Sequence, residues 1–315
     1  MIDFRYHLVS LIAVFLAVAL GIIIGTTALN EPILADIEGQ VADLEQDKRS
    51  LEDQTQQLQA QLNTAQVFDQ AVAPALVDGT LADASVLLVV VNEEIAPETV
   101  ESVATLVADA DGTVAGQITL LPAYSDPSTE AALEGYVTGG GLPSGVQLPE
   151  ADDAGQLVGA LLAQVLMIPP GGPEPDAAAI SSVLAGLSAL DVLSQDSDSV
   201  APADYAIVLA TGAFTGDDAA ERTGTLVDLV SALDAAGSGA VVAGDAASAA
   251  ETGLVGVIRD DPALSAAIST VDNVGTTAGQ ISAVLALGQE SEGTSGKYGT
   301  GEDTQPVPPV PSTTP

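Results

Sequence analysis

The sequence predicts an α/β protein in four parts: an N-terminal transmembrane helix at residues 1–30, a coiled coil at 31–70, a layered α/β domain with a mostly parallel sheet at 80–290, and a disordered Pro/Thr-rich tail at 291–315. Three observations carry that reading. Residues 8–29 form an uninterrupted apolar run, apolar residues recur in heptads from 34 to 65, and from residue 85 short β-branched runs alternate with amphipathic helical stretches.

The apolar run, LVSLIAVFLAVALGIIIGTTAL, holds no charge, and at ~1.5 Å per residue it covers the ~30 Å hydrocarbon core of a bilayer. A secretory signal is the rival reading, since Thr26 and Ala28 imitate a small-residue cleavage site, but signal h-regions are shorter, roughly 7 to 15 residues. Arg5 flanks the run closely, whereas Lys48 and Arg49 lie farther beyond it, so the positive-inside tendency places the N-terminus in the cytoplasm and the body extracytoplasmic. Ala13, Ala17, Gly21 and Gly25 make one small-residue stripe containing a Gly-x-x-x-Gly motif, which lets two helix backbones approach closely. The competing explanation is the ordinary frequency of Gly and Ala in membrane helices.

The heptad that follows places Leu34, Val41, Lys48, Thr55 and Leu62 at a, with Ile37, Leu44, Leu51, Leu58 and Ala65 at d. Polar residues at a, and Asp47 facing Glu52 across a parallel pair, weaken this seam. Attachment to one membrane offsets the weakness by raising the effective concentration of two copies. A parallel homodimer or higher homo-oligomer is the expectation. The alternative is a single helix whose leucine stripe folds back onto the body of its own chain.

Beyond the coil, runs at 85–91 and 113–121 alternate with helical patterns at 98–110 and 129–137, as βαβ units do. A second set follows: strands at 205–210 and 240–243, helices at 217–236 and 282–287, and a helical pattern at 157–167 between the two sets. The run at 86–91 is apolar on both faces, as a central parallel strand requires. This order defines a Rossmann/flavodoxin-like layered domain, which could divide into two lobes at the turn-rich 169–175.

The chain carries 44 acidic and 6 basic residues for a formal charge of -38, which excludes binding to a nucleic-acid backbone. Such an excess serves solubility or salt tolerance, or else makes a diffuse cation-attracting surface. With no cysteine, disulfides and thiolate sites are excluded. His7, at the edge of the apolar run, is the sole histidine, so no catalytic triad can be built in the body. Gly237 and Gly239 precede a strand and match neither nucleotide-binding glycine pattern. Gly244 with Asp245, and Asn92 with Glu93 and Glu94, stand at the C-terminal ends of predicted strands, where α/β ligand sites lie, although turn and capping duty also explains them. Asp191, Asp196 and Asp198 are the nearest approach to an oxygen-ligand cluster, yet the calcium-loop spacing is missing. No catalytic residue is assigned and the expectation is a non-enzyme. A carboxylate-based enzyme is the least favoured class.

The opening DFRYHLVSLIAVFLAVALGIIIG followed by a coiled coil, together with VDNVGTTAGQISAVLALGQ and the later GKYG, resembles the mycobacterial copper transport protein B family of actinobacterial copper transporters. The resemblance implies a cell-envelope protein of copper homeostasis that limits intracellular copper. It transfers no metal-binding residue onto a numbered position. Copper(I) prefers thiolate, thioether or imidazole, and the chain offers Met1, Met167 and His7 alone. No cofactor is therefore expected beyond a weak copper association with surface carboxylates. The alternative function is a membrane-anchored scaffold or interaction module that engages an envelope protein partner and has no metal role.

Overall fold

The computed structural model describes residues 4–310 except 93, 140, 141, 144, 152 and 198, and within the first helix it describes the backbone alone at 26–36 and 38. The chain divides into two compact units, Met1–Ala65 and Gln66–Pro315. Helix α1, Phe4–Val77, supplies the first unit and the opening turns of the second. Within the first unit Phe4–Gly25 is long and apolar enough to cross a membrane, a span that takes in Arg5 and His7 ahead of the charge-free run.

The second unit is built on a seven-stranded sheet of order β3-β2-β1-β4-β5-β6-β7. Its strands are β1 Ser85–Val90, β2 Thr113–Leu120, β3 Leu193–Gln195, β4 Tyr205–Ala210, β5 Ala240–Gly244, β6 Ser269–Val271 and β7 Lys297–Tyr298. All neighbours run parallel except β2 and β3. The expectation of a mostly parallel sheet holds, and β1 lies in its interior, buried on both faces. Alternation along β1 divides the core. Leu87, Val89 and Val91 join one cluster, and Val86, Leu88 and Val90 join the other.

On the first face pack α3 (Glu130–Thr138), α4 (Ala154–Leu166), α5 (Ala177–Ala189) and α6 (Ala219–Ala236), and the short α7 (Leu254–Asp260) adds Leu254, Val255 and Ile258. On the second face lie α2 (Pro97–Asp109), α9 (Thr277–Ser291) and the end of α1 through Ala73 and Val77, whereas α8 (Pro262–Ala267) has no fully buried residue and packs its partly buried Leu264 against the first face. With so few aromatics, small residues set the spacing. A Cβ on Gly159 would stand 3.1 Å from the Cα of Leu229, so α4 and α6 approach almost to backbone contact.

Two boundaries differ from those read in the sequence. A division into lobes at 169–175 does not occur, because one core cluster joins Leu161 and Leu166 before that turn to Ile180 and Leu184 after it and to Val208 of β4. The tail does not begin at 291, because Lys297–Tyr298 forms β7 against β6, Gly299 N donates to Gln305 O, and Gln305 N donates to Lys297 O. Burial of the Arg259–Asp272 pair supplies the ordering that local composition lacks. Residues 311–315 lie outside the described residues.

Glu290, at the end of α9, shows how the body holds some of its acid. The residue is 8% exposed, and its carboxylate accepts from Ser269 N at 2.7 Å and Ser295 Oγ at 3.1 Å. Burial pushes its pKa above the usual value, outweighing those bonds. An acid whose folded-state pKa is raised keeps its proton longer in the native protein, so this group removes stability as pH climbs from its ordinary value of 4.5 through the raised one. Glu290→Gln keeps an oxygen for Ser269 N and removes the titration. Denaturant unfolding across that window is expected to show the wild type losing stability relative to the variant as pH rises.

Candidate functional site

The strand order reverses between β1 and β4: from β1 the chain moves outward to β2 and β3, then returns to β4 on the opposite side. In open parallel sheets ligands bind in the crevice outside the C-terminal ends of strands at such a switch point. A crevice of about 370 Å³ occupies that place here, lined from the ends of β1, β2 and β4, from the early turns of α6 and from the segment before α7.

Its floor is a clasp between the two central strands. Asn92 donates from Nδ2 to Thr211 O at 2.8 Å, and Thr211 Oγ1 donates back to Asn92 Oδ1 at 2.8 Å. The apolar wall consists of Leu120, Leu226, Leu254 and Phe214. Phe214 is fixed because Thr252 Oγ1 donates to its carbonyl at 2.8 Å, and Thr223 Oγ1 in turn donates to Thr252 O at 2.7 Å. The polar wall is Arg222, half-buried on α6. Its guanidinium lies 4.2 Å from the centroid of the Phe214 ring, and its Nε donates to Ser125 Oγ at 3.5 Å.

The residues singled out by sequence take different positions. Asn92 is in the clasp, Glu94 is exposed at the rim, and Glu93 lies outside the described residues. Asp245 accepts from Gly212 N at 3.0 Å and Ser248 N at 2.8 Å, which ties the turn after β4 to the turn after β5. Gly244 is buried at the end of β5, where a Cβ would meet Ser248. Asp196 accepts from Thr119 Oγ1 at 2.5 Å, Asp191 occupies a left-handed turn at φ 54°, and Asp198 lies outside the described residues. Gly237 and Gly239 are buried where a strand begins, away from the crevice. Among the described residues, no group of three or more His, Cys, Asp or Glu could hold a metal ion. Met167 is fully buried in the core, so its thioether is closed to a passing metal.

The remaining residues of interest belong to α1. Ala13, Ala17 and Gly21 are exposed, and nothing stands within 4 Å of a Cβ built on Gly21 or Gly25. In the heptad Val41, Lys48, Thr55 and Ala65 are exposed, as are Ile37 at 50%, Leu44 at 70%, Leu51 at 63%, Leu58 at 59% and Leu62 at 65%. The side chain of Leu34 lies outside the described residues.

Sequence reasoning missed Arg222, Phe214 and Ser125. The available signal was scarcity: beyond residue 65 the basic residues are Arg222, Arg259 and Lys297, and Arg222 follows a strand in the opening turns of a helix.

The chain thus combines a helix long and apolar enough to cross a membrane with an α/β body on a mostly parallel sheet. A family model described as copper transport outer membrane protein, MctB, matches residues 1–309. The copper transporter MctB of Mycobacterium tuberculosis (strain ATCC 25618 / H37Rv) is 31% identical over 312 residues, covering 98% of this chain and 99% of its own. That of Mycobacterium leprae (strain TN) is 32% identical over 309 residues, covering 96% and 97%. The chain belongs to the MctB family of copper transport proteins.

Proposed function

We propose that this protein is a membrane-anchored, homo-oligomeric component of copper homeostasis in the cell envelope, one that limits intracellular copper and is not an enzyme. The observation that supports this is the family match over residues 1–309, which takes in the span, the heptad and the α/β body together. Phe4–Gly25 serves as a single-pass anchor, with the N-terminus cytoplasmic and the body extracytoplasmic. The small-residue stripe and the exposed leucine seam pair two copies in parallel, since a row of leucines between 59% and 70% exposed gains from burial against a second copy.

Copper handling in this reading depends on donors outside this chain or on weak Cu(II) association with carboxylates. His7 stands at the end of the span and Met167 is closed within the core. The same poverty of donors favours the second reading, an anchored interaction module with no metal role. Elemental analysis of cell copper separates the two. A deletion strain is expected to accumulate copper, and the full-length chain to reverse it. A complement carrying Leu44→Asp, Leu51→Asp and Leu58→Asp is expected to lose dimer crosslinking in membranes and to leave the copper excess in place. Unchanged copper on deletion removes the transport role. Restored copper with no crosslinking removes the oligomer.

A further inference from the structure

We infer that the crevice at the switch point binds a small monocarboxylate with an apolar body. This goes beyond copper handling and does not depend on it. The volume of about 370 Å³ falls within the ~300–1,000 Å³ common to small-molecule sites, and its lining combines apolar side chains with few polar groups, as such sites do.

Arg222 carries the choice of an anion. The body is strongly acidic, and its other two cations are committed: Arg259 pairs with Asp272 at 2.7 Å, and Lys297 donates to Arg259 O at 2.6 Å. Arg222 has no carboxylate at ion-pair distance among the described residues. Asp126 acts on it only through a weaker field. Among the described residues its one side-chain hydrogen bond is the long one from Nε to Ser125 Oγ, so toward those residues the other donors of the guanidinium fork are left for a ligand. A carboxylate accepts from such a fork in a bidentate manner. A half-buried arginine in a protein of charge -38, its fork unengaged by any described residue, is not explained by packing alone, since its stacking on Phe214 uses the face of the group and not its edge.

The same surroundings argue for a single negative charge. Among the described residues one cation faces the site, Glu94 stands exposed at its rim, and α6 is preceded by Asp217 and Asp218, so a dianionic phosphate would meet more repulsion than a monocarboxylate. Leu120, Phe214, Leu226 and Leu254 supply the slot for the apolar body.

The test uses full-length protein in detergent micelles, methyl-labelled at leucine, titrated with benzoate, its neutral isostere benzamide, and phenyl phosphate. Benzoate is expected to shift the Leu226 and Leu254 methyl resonances saturably. Benzamide is expected to bind at least tenfold more weakly, and phenyl phosphate no more tightly than benzoate. Arg222→Gln should weaken benzoate at least tenfold and leave benzamide unchanged, and Arg222→Lys should fall between. The comparison of the three probes on the wild type stands even if a variant fails to fold. Equal binding of benzoate and benzamide, no saturable shift with benzoate, or tighter binding of phenyl phosphate would each overturn the assignment.

Discussion

Asp272→Ala is expected to destabilise the body by about 3 to 5 kcal/mol, the range found when one partner of a buried ion pair is removed. The side chains of Arg259 and Asp272 are 10% and 2% exposed and meet at 2.7 Å. Asp272 also accepts from Thr300 N at 2.7 Å and Gly301 N at 3.0 Å. Arg259 donates from Nε to Thr270 Oγ1 at 2.9 Å and from a terminal nitrogen to Tyr298 O at 2.8 Å. Alanine would leave the buried guanidinium charge uncompensated, and the Thr300 and Gly301 N–H groups would lose the carboxylate that ties the segment after β7 to the end of β6. Denaturant unfolding measures the loss, and limited proteolysis of the segment after Ser291 reports its release. A second substitution, Arg259→Met, should recover much of the stability, because removing both charges removes the uncompensated one. Acid should mimic the substitution. Burial raises the carboxyl pKa, but the bonds from Arg259, Thr300 and Gly301 and the charge of Arg259 outweigh it and hold it below the usual value. Stability from a depressed acid is present above its unfolded-state pKa and is lost as pH falls through the folded one, the reverse of Glu290.

That cluster also shows where the sequence could be read and where it could not. Strands β1, β4 and β5 and helices α2 and α6 are continuous apolar or amphipathic runs, so local pattern alone places them. Strands β6 and β7 are three and two residues long, and their sequences STV and KY have no length over which a period can be recognised. They exist because Asp272 and Arg259 meet over long sequence separation, a contact that composition does not announce. The Gly, Ser and Thr content after residue 291 suggested disorder for the same reason. The resemblance had joined VDNVG to GKYG as two distant stretches, and the fold explains their association: Asp272 of the first and Tyr298 of the second share the Arg259 guanidinium, and a Cβ on Gly299 would strike the Asp272 carboxylate. The crevice was half legible. Its place follows from strand order, and Asn92 was marked as a strand-end residue, but Arg222 needed the spatial fact that α6 begins beside the ends of β1 and β2.

Gly237→Ala is expected to cost about 1 to 3 kcal/mol, the usual range for forcing extra volume into a packed site. A Cβ at 237 would lie 2.5 Å from Met167 Cε and 2.8 Å from Asp204 O. The methyl end of methionine can swing aside, but the carbonyl cannot. Asp204 accepts from Ser238 N at 2.7 Å through that oxygen, and its carboxylate accepts from Ser85 N at 2.9 Å and Ser85 Oγ at 2.6 Å, so it is pinned between the starts of β1, β4 and β5. A double variant with Met167→Ala separates the two contacts. It should relieve the side-chain clash and leave the carbonyl clash, so the coupling between the substitutions will be favourable but incomplete. A glycine kept for ligand approach would behave differently, with stability unchanged on substitution and binding lost. Denaturant unfolding of the single and double variants therefore tests whether this glycine serves the close packing of strand starts, at the end of the strands opposite to the crevice.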